Sequence, residues 1–193
     1  MGSPCGLVGV VALQGAFAAH IEACQAVGSD AVEVRTPAEL DGVDRIILPG
    51  GESTTMSMML DRNELREPLA ALLADGTPVF GTCAGMILLA AEVSDGRVDQ
   101  QSLAMIDIGV QRNGWGRQNQ SFSDELVVSG FDDPLHAVFI RAPRVERVGD
   151  DVEVLARYND EPVLCRQGSV LVAAFHPELS TDRRLHRYFC ELS

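Results

Sequence analysis

The stretch Val79-Phe80-Gly81-Thr82-Cys83-Ala84-Gly85 runs into the apolar segment Met86-Ile87-Leu88-Leu89-Ala90-Ala91. Val79-Phe80 is strand-like and residues 86–91 favour a helix, so Cys83 lies at a sharp turn between the two. The pattern Gly-x-Cys-x-Gly is the cysteine form of a nucleophile elbow, in which small neighbours permit a strained turn. A helix N-terminus favours the thiolate, and the next N–H, that of Ala84, can stabilise an oxyanion. The alternative is a buried cysteine that packs as a small apolar side chain.

A second motif lies near the other end of the chain. Val170–Phe175 is apolar throughout and predicts a buried strand, which leads directly into His176-Pro177-Glu178. Pro177 favours an extended conformation at His176, and in an extended chain residues i and i+2 face the same way. Glu178 can therefore orient the imidazole, completing a nucleophile, a base and a carboxylate. The alternative interpretation is a capping histidine, a turn proline and an exposed glutamate.

Length and charge limit the function. The 193 residues suit one compact domain, residues 1–193, with a sizeable core. The 15 basic and 28 acidic residues argue against a nucleic-acid or an anionic membrane surface as partner. Every basic residue is an arginine, so the chain has no lysine for a Schiff base, for a P-loop or for general-base catalysis.

The cysteines indicate a reducing compartment. They are five in number and scattered, without any Cys-x-x-Cys spacing: Cys5, Cys24, Cys83, Cys165 and Cys190. This pattern predicts neither a disulfide framework nor a metal site, and it indicates the cytoplasm. Leu7–Leu13 resembles a first strand rather than the core of a signal peptide, and no apolar run is long enough to span a membrane.

Strands and helices alternate in the first half of the chain. Predicted strands are Leu7–Leu13, Ala31–Val34, Arg45–Leu48 and Pro78–Thr82, and predicted helices are Phe17–Val27, Thr54–Leu60 and Leu65–Ala74. This alternation predicts an α/β fold of three layers, with a mostly parallel central sheet and helices on both faces. Ligands of such sheets bind at the carboxyl ends of the strands, where Gly50-Gly51-Glu52-Ser53, Cys83 and His176 all fall.

The second half of the chain is richer in predicted strands. Glu92–Gln101 is polar and predicts a loop. Further strands are predicted at Ile106–Val110, Glu125–Val128, Ala137–Ile140, Val152–Tyr158 and Pro162–Arg166, with a hairpin turn at Asn159-Asp160.

Two further features suit an amino-acid substrate. Leu48-Pro49-Gly50-Gly51-Glu52-Ser53-Thr54 predicts a strand, a glycine turn and a helix start with capping hydroxyls. Its paired glycines could complete an oxyanion hole opposite Ala84, although a tight turn with an N-cap explains them equally simply. Arg112 and Arg141 offer the fork donors that an α-carboxylate needs, although arginines at such positions are more often solvated charges.

Together these residues resemble the class I glutamine amidotransferases, and more narrowly the glutaminase subunits of bacterial pyridoxal 5'-phosphate synthase. The resemblance runs from Val8 to Phe189. Its most selective blocks are Leu13-Gln14-Gly15, Pro49 to Thr55, Arg112-Asn113 with Gly116-Arg117-Gln118, and Phe139 to Pro143. Departures are Trp115, where the family more often has phenylalanine, and Asn119-Gln120, which replaces an apolar-acidic pair.

The resemblance implies a flavodoxin-like fold and a glutaminase without metal or organic cofactor. It implies Cys83 as nucleophile, His176 and Glu178 as its relay, and Gly51 and Ala84 as the oxyanion hole. Contacts to L-glutamine are implied for Gly51, Glu52, Ser53, Arg112, Ile140 and Arg141. Gln14 is implied to lie near the active site and the partner interface. The implied partner is a (β/α)₈-barrel synthase subunit, in a complex resembling twelve copies of each chain.

Two rival functions remain open. One is the glutaminase subunit of imidazole glycerol phosphate synthase, which shares the cysteine elbow and the His-x-Glu motif; the blocks around Arg112 and Arg141 argue against it. The other is a non-catalytic binding or stress protein with an elbow cysteine on the same fold. The combination of Cys83, His176 and Glu178 argues against that second function.

Overall fold

A seven-stranded sheet organises the structure, a computed structural model that describes residues 6–96, 101–112 and 121–192. The strands in their order across the sheet are β10 (Glu153–Tyr158), β11 (Glu161–Gln167), β12 (Val170–Ala173), β4 (Val79–Thr82), β3 (Arg45–Leu48), β1 (Leu7–Val11) and β2 (Asp30–Val34). The five strands from β12 to β2 are parallel, and β11 and β10 extend the sheet antiparallel to them. The predicted mostly parallel sheet is confirmed.

Helices cover both faces of this sheet. They are α1 (Phe17–Ala26), α2 (Ser53–Arg62), α3 (Arg66–Ala74), α4 (Ala84–Leu89) and α5 (Arg184–Glu191). Because side chains alternate along a strand, neighbours on β4 show which helices lie where. The Phe80 ring contacts His20 of α1 and His186 of α5, whereas a Cβ at Gly81 would point at Gly85 and Leu89 of α4. Among the described helices, none combines the length and apolar character required to cross a bilayer.

Close packing explains the glycines beside Cys83. A Cβ on Gly85 would lie 2.0 Å from the carbonyl oxygen of Leu48, at the end of β3. A Cβ on Gly81 would lie 2.7 Å from the carbonyl carbon of Gly85. Both contacts are shorter than a carbon side chain tolerates, so α4 packs onto the sheet only because these positions are glycine.

The second half of the chain adds two small sheets. One contains β5 (Ala90–Val93), β6 (Ile106–Gln111) and β9 (Arg144–Val148), and the other pairs β7 (Ser121–Leu126) with β8 (Leu135–Ile140). β8 positions the catalytic region, because its Val138 carbonyl accepts a hydrogen bond of 2.8 Å from the His176 N–H.

Several predicted boundaries were wrong. Ala90-Ala91 was assigned to a helix and the residues after it to a loop, but Ala90–Val93 forms β5 because it pairs with β6. β7 begins at Ser121 rather than Glu125, where the ring of Phe122 stacks on Phe139 of β8 with centroids 4.7 Å apart. Strand β9 and helix α5 had not been predicted.

Candidate active site

Cys83 occupies a strained turn between β4 and α4. Its φ of 49° and ψ of −101° lie in a region that residues other than glycine rarely adopt, as a nucleophile elbow requires. Neighbours hold the residue there: its N–H donates to the Ala173 carbonyl at 2.8 Å, and its Sγ lies 3.8 Å from the Ile140 carbonyl oxygen. The turn predicted from the sequence is present, and it aims the thiol at the carboxyl edge of the sheet.

His176 and Glu178 follow β12, the parallel neighbour of β4. His176 is the cap of a 3₁₀ turn over Pro177–Leu179, and this turn brings Glu178 Oε1 to 2.7 Å from His176 Nδ1. Both side chains are buried, with Glu178 almost completely so. As predicted from their spacing, the carboxylate engages Nδ1, which leaves Nε2 to face the thiol.

A cleft of about 330 Å³ opens above these groups. Its walls contain nearly every residue implied by the resemblance: Gln14, Gly51, Glu52, Ser53, Cys83, Ile87, Arg112, Ile140, Arg141 and His176. Ile87 of α4 is an apolar addition that the sequence analysis missed. Glu178 lies behind His176, away from the cleft, as expected of a residue that acts through the imidazole.

The loop after β3 is fixed by Glu52. Sequence analysis expected hydroxyls to cap α2, but the Glu52 carboxylate does so, accepting from the N–H groups of Thr54 at 3.1 Å and Thr55 at 2.7 Å. Burial opposes ionisation, yet these hydrogen bonds and that of the Thr55 hydroxyl hold the pKa of Glu52 at about 2. The Glu52 N–H in turn donates to the Gln14 side-chain oxygen at 3.1 Å.

Both predicted carboxylate-binding arginines reach the cleft. Arg112 Nη2 lies 2.7 Å from Glu52 Oε1, so the guanidinium already has an anionic partner at the rim. Arg141 has a φ of 45°, a second strained position beside the thiol. Residues 113–120, which include Asn113, Trp115, Gly116-Arg117-Gln118 and Asn119-Gln120, lie outside the described residues.

The electrostatics of the site favour a charged imidazole. Burial lowers the pKa of His176, but its hydrogen bonds to Cys83 and Glu178 outweigh burial and raise the pKa from 6.5 to about 10. An imidazolium beside the thiol stabilises a thiolate, the reactive form of cysteine.

This shift predicts how stability depends on pH. The folded-state pKa of His176 is raised, so its stabilising contribution is complete below pH 6.5 and is lost as the pH rises towards 10. We expect the difference in urea midpoint between the parent and His176→Gln to shrink between pH 6 and pH 10. A difference that stays constant over this range would contradict the shift.

A buried histidine behind the carboxylate was missed by the sequence analysis. His20 of α1 is fully buried and its Nε2 lies 3.4 Å from Glu178 Oε2. The sequence carried one signal for it, because His20 occupies an apolar position in the helical pattern of residues 17–27.

Comparison with known proteins places this geometry in one class. A solved structure described as a glutamine amidotransferase superposes with a TM-score of 0.91, at 48% identity over 96% of this chain and 97% of that one. Proteins named pyridoxal 5'-phosphate synthase subunit PdxT are 54% identical in Mycobacteroides abscessus and 53% in Salinispora tropica, each over 96% of both chains. The sequence profile of the SNO glutamine amidotransferase family matches residues 10–193. The chain belongs to the SNO glutamine amidotransferase family.

Proposed function

We propose that this chain hydrolyses L-glutamine to L-glutamate and ammonia as the glutaminase subunit of a pyridoxal 5'-phosphate synthase. One observation carries the proposal: Cys83 and the His176–Glu178 pair lie at the ends of adjacent parallel strands, in one cleft with two arginines. A thiol, an oriented base and carboxylate-binding groups are what acyl transfer from an amino-acid amide requires. The names of the PdxT relatives support the assignment to this synthase.

The first half of the reaction forms a thioester. The Cys83 thiolate attacks the γ-amide carbon, forming the C–S bond while the amide oxygen takes up negative charge. The N–H groups of Gly51 and Ala84 stabilise this oxyanion. His176, as imidazolium, gives its Nε2 proton to the amide nitrogen. The C–N bond then breaks, and ammonia leaves behind a γ-glutamyl thioester.

The second half releases glutamate. His176, now neutral, takes a proton from a water molecule as the oxygen adds to the thioester carbon. Collapse of this intermediate breaks the C–S bond and restores the thiolate, while the proton remains on His176. Throughout, Glu178 accepts the Nδ1–H bond and keeps Nε2 directed at the reacting atoms.

Recognition of glutamine is assigned to the charged rim of the cleft. The guanidinium groups of Arg112 and Arg141 suit the α-carboxylate, and the ionised Glu52 suits the α-ammonium group. The further contacts proposed are those of Gly51, Ser53 and Ile140. Because Glu52 already pairs with Arg112, the substrate carboxylate joins an existing ion pair instead of meeting a free cation.

Removing either arginine should weaken substrate binding without disabling the thiol. A lost charge-assisted hydrogen bond costs about 1.5–3 kcal/mol, so we expect Arg112→Ala or Arg141→Ala to raise the KM for glutamine roughly 10- to 100-fold. The rate of Cys83 alkylation by iodoacetamide should stay within about twofold of the parent. Arg187→Ala, an exposed α5 arginine outside the cleft, is the matched control. An unchanged KM in both cleft variants would return these arginines to solvated surface charges.

The ammonia is proposed to pass to a second polypeptide. Free ammonia is protonated in neutral water, and a chain without lysine or P-loop cannot hold an acceptor in the usual ways. We propose a (β/α)₈-barrel synthase subunit as partner, twelve copies of each chain in the complex, and Gln14 near the interface. We further propose that this single-domain chain acts in the cytoplasm, where the catalytic thiol stays reduced.

A coupled assay tests this division of labour. Glutamine-dependent formation of pyridoxal phosphate should require both proteins and should disappear with Cys83→Ala. Ammonium salts should restore formation with the synthase subunit alone. If the isolated chain hydrolyses glutamine at full rate and the synthase subunit neither accelerates it nor uses its ammonia, the proposed partnership is wrong.

A further inference from the structure

A chain of buried polar side chains continues inward from Glu178. His20 Nε2 lies 3.4 Å from Glu178 Oε2 and 3.2 Å from the Thr82 hydroxyl oxygen. On the other side of the ring, His20 Nδ1 lies 3.0 Å from His186 Nε2. All four side chains are buried, and the two histidines come from helices α1 and α5 at distant points of the sequence.

The hydrogen bonds allow only one sensible arrangement of protons. Burial, together with His186, His176 and Arg183, keeps the pKa of His20 well below its ordinary value, so the ring is neutral and has one N–H. With that proton on Nδ1, the Nε2 lone pair would face the Glu178 carboxylate, which only accepts. With the proton on Nε2, His20 donates towards Glu178 and Thr82 and accepts from His186 Nε2–H. This leaves only His186 Nδ1 without a hydrogen-bond partner among the described residues.

Glu178 depends on this donor. Its Oε1 accepts from His176 Nδ1, but within the described part of the chain Oε2 makes no hydrogen bond of ordinary geometry, although it is buried. The Arg183 guanidinium lies nearby but donates to the backbone carbonyls of Glu178 and Ser180. His20 Nε2–H is therefore the polar hydrogen placed to stabilise the far oxygen, and a buried carboxylate left without one would be costly.

We propose that His20 is a positioning residue for catalysis: its Nε2–H holds Glu178 Oε2, so that Oε1 stays on His176 Nδ1 and Nε2 stays directed at Cys83. The proposal rests on the glutaminase function proposed above. It adds a fourth member behind the cysteine, histidine and glutamate, in contact with neither substrate nor thiol. His186 supports it one step further out, by fixing which nitrogen of His20 carries the proton.

Three variants separate positioning from packing. His20→Leu removes the donor at similar volume, whereas His20→Gln retains an amide N–H that can reach Glu178. Phe189→Leu is the matched control, because Phe189 is fully buried and packs on Phe80 from the same side of the sheet without touching the polar chain. Glutamine hydrolysis is measured with the synthase subunit present. The histidine ring carbons are followed by NMR against pH, which is practical because the chain has only four histidines.

We expect His20→Leu to lower kcat about 10- to 100-fold with the KM for glutamine within about twofold, and to shift the His176 titration to lower pH. His20→Gln should recover most of both properties, and Phe189→Leu should lose stability but neither property. A folded His20→Leu protein with parental kcat and an unchanged His176 titration would overturn the proposal, as would an equal loss in Phe189→Leu. If the parent hydrolyses no glutamine, the proposed function fails, yet the His176 titration still decides whether His20 positions Glu178.

Discussion

A Cys83→Ala protein should fold as the parent does and release no measurable glutamate from glutamine. Loss of a nucleophile commonly costs several orders of magnitude in rate, because the remaining groups cannot form the covalent intermediate. The fold should persist, since alanine meets the same positive φ and only the weak contact between Sγ and the Ile140 carbonyl is lost.

Cys165→Ala is the matched control for that experiment. Cys165 is fully buried on β11, and burial raises the pKa of its thiol to about 12, so it has no reactive thiolate at neutral pH. Glutamate release by this variant should equal that of the parent, and iodoacetamide should still inactivate it. Glutamate release from Cys83→Ala at the parental rate would remove Cys83 from the mechanism.

Gly50→Ala should abolish most activity while leaving a folded protein. A Cβ at this position would lie 2.4 Å from His176 Cε1 and 3.4 Å from Cys83 Cβ. The imidazole would have to move by about an ångström, and a displacement of that size commonly costs about 100-fold in rate. We therefore expect kcat to fall at least about 100-fold in a glutamate-release assay.

Gly76→Ala controls for the effect of an added methyl group on folding. Gly76 has a φ of 94°, so alanine is strained there, but nothing lies within 4 Å of the added Cβ. This variant should lose thermal stability and retain its kcat. If Gly50→Ala keeps the parental kcat, the base does not need the position in which the structure holds it.

The parts of the site that could be predicted from sequence are those written in consecutive residues. The elbow around Cys83 and the tripeptide His176-Pro177-Glu178 each combine a strand end with short-range geometry, and the structure contains both turns. The capping of α2 was assigned to the wrong groups, because Glu52 looks like a substrate contact in sequence and only the folded loop turns its carboxylate back onto Thr54 and Thr55.

What was missed depends on long-range pairing. Ala90-Ala91 favours a helix locally, but pairing with β6 makes it a strand. β9 is short and charged, and it is defined by its pairing with β6. His20 meets His186 across 166 positions of sequence, a separation that no local pattern reveals. Leu185 and Phe189, buried four residues apart, were a readable sign of α5.

The insertion of β12 between β4 and β11 decides when the protein can first act during its own synthesis. Cys83 emerges from the ribosome well before His176, and its N–H bonds to Ala173 only after β12 has paired with β4. A nascent or truncated chain that lacks this strand therefore presents a cysteine without its base and a sheet with an open edge. Such fragments would be unable to release ammonia and would be exposed to aggregation and proteolysis. Competence thus arrives with the last fifth of the polypeptide, so the cell is spared ammonia production by unfinished copies.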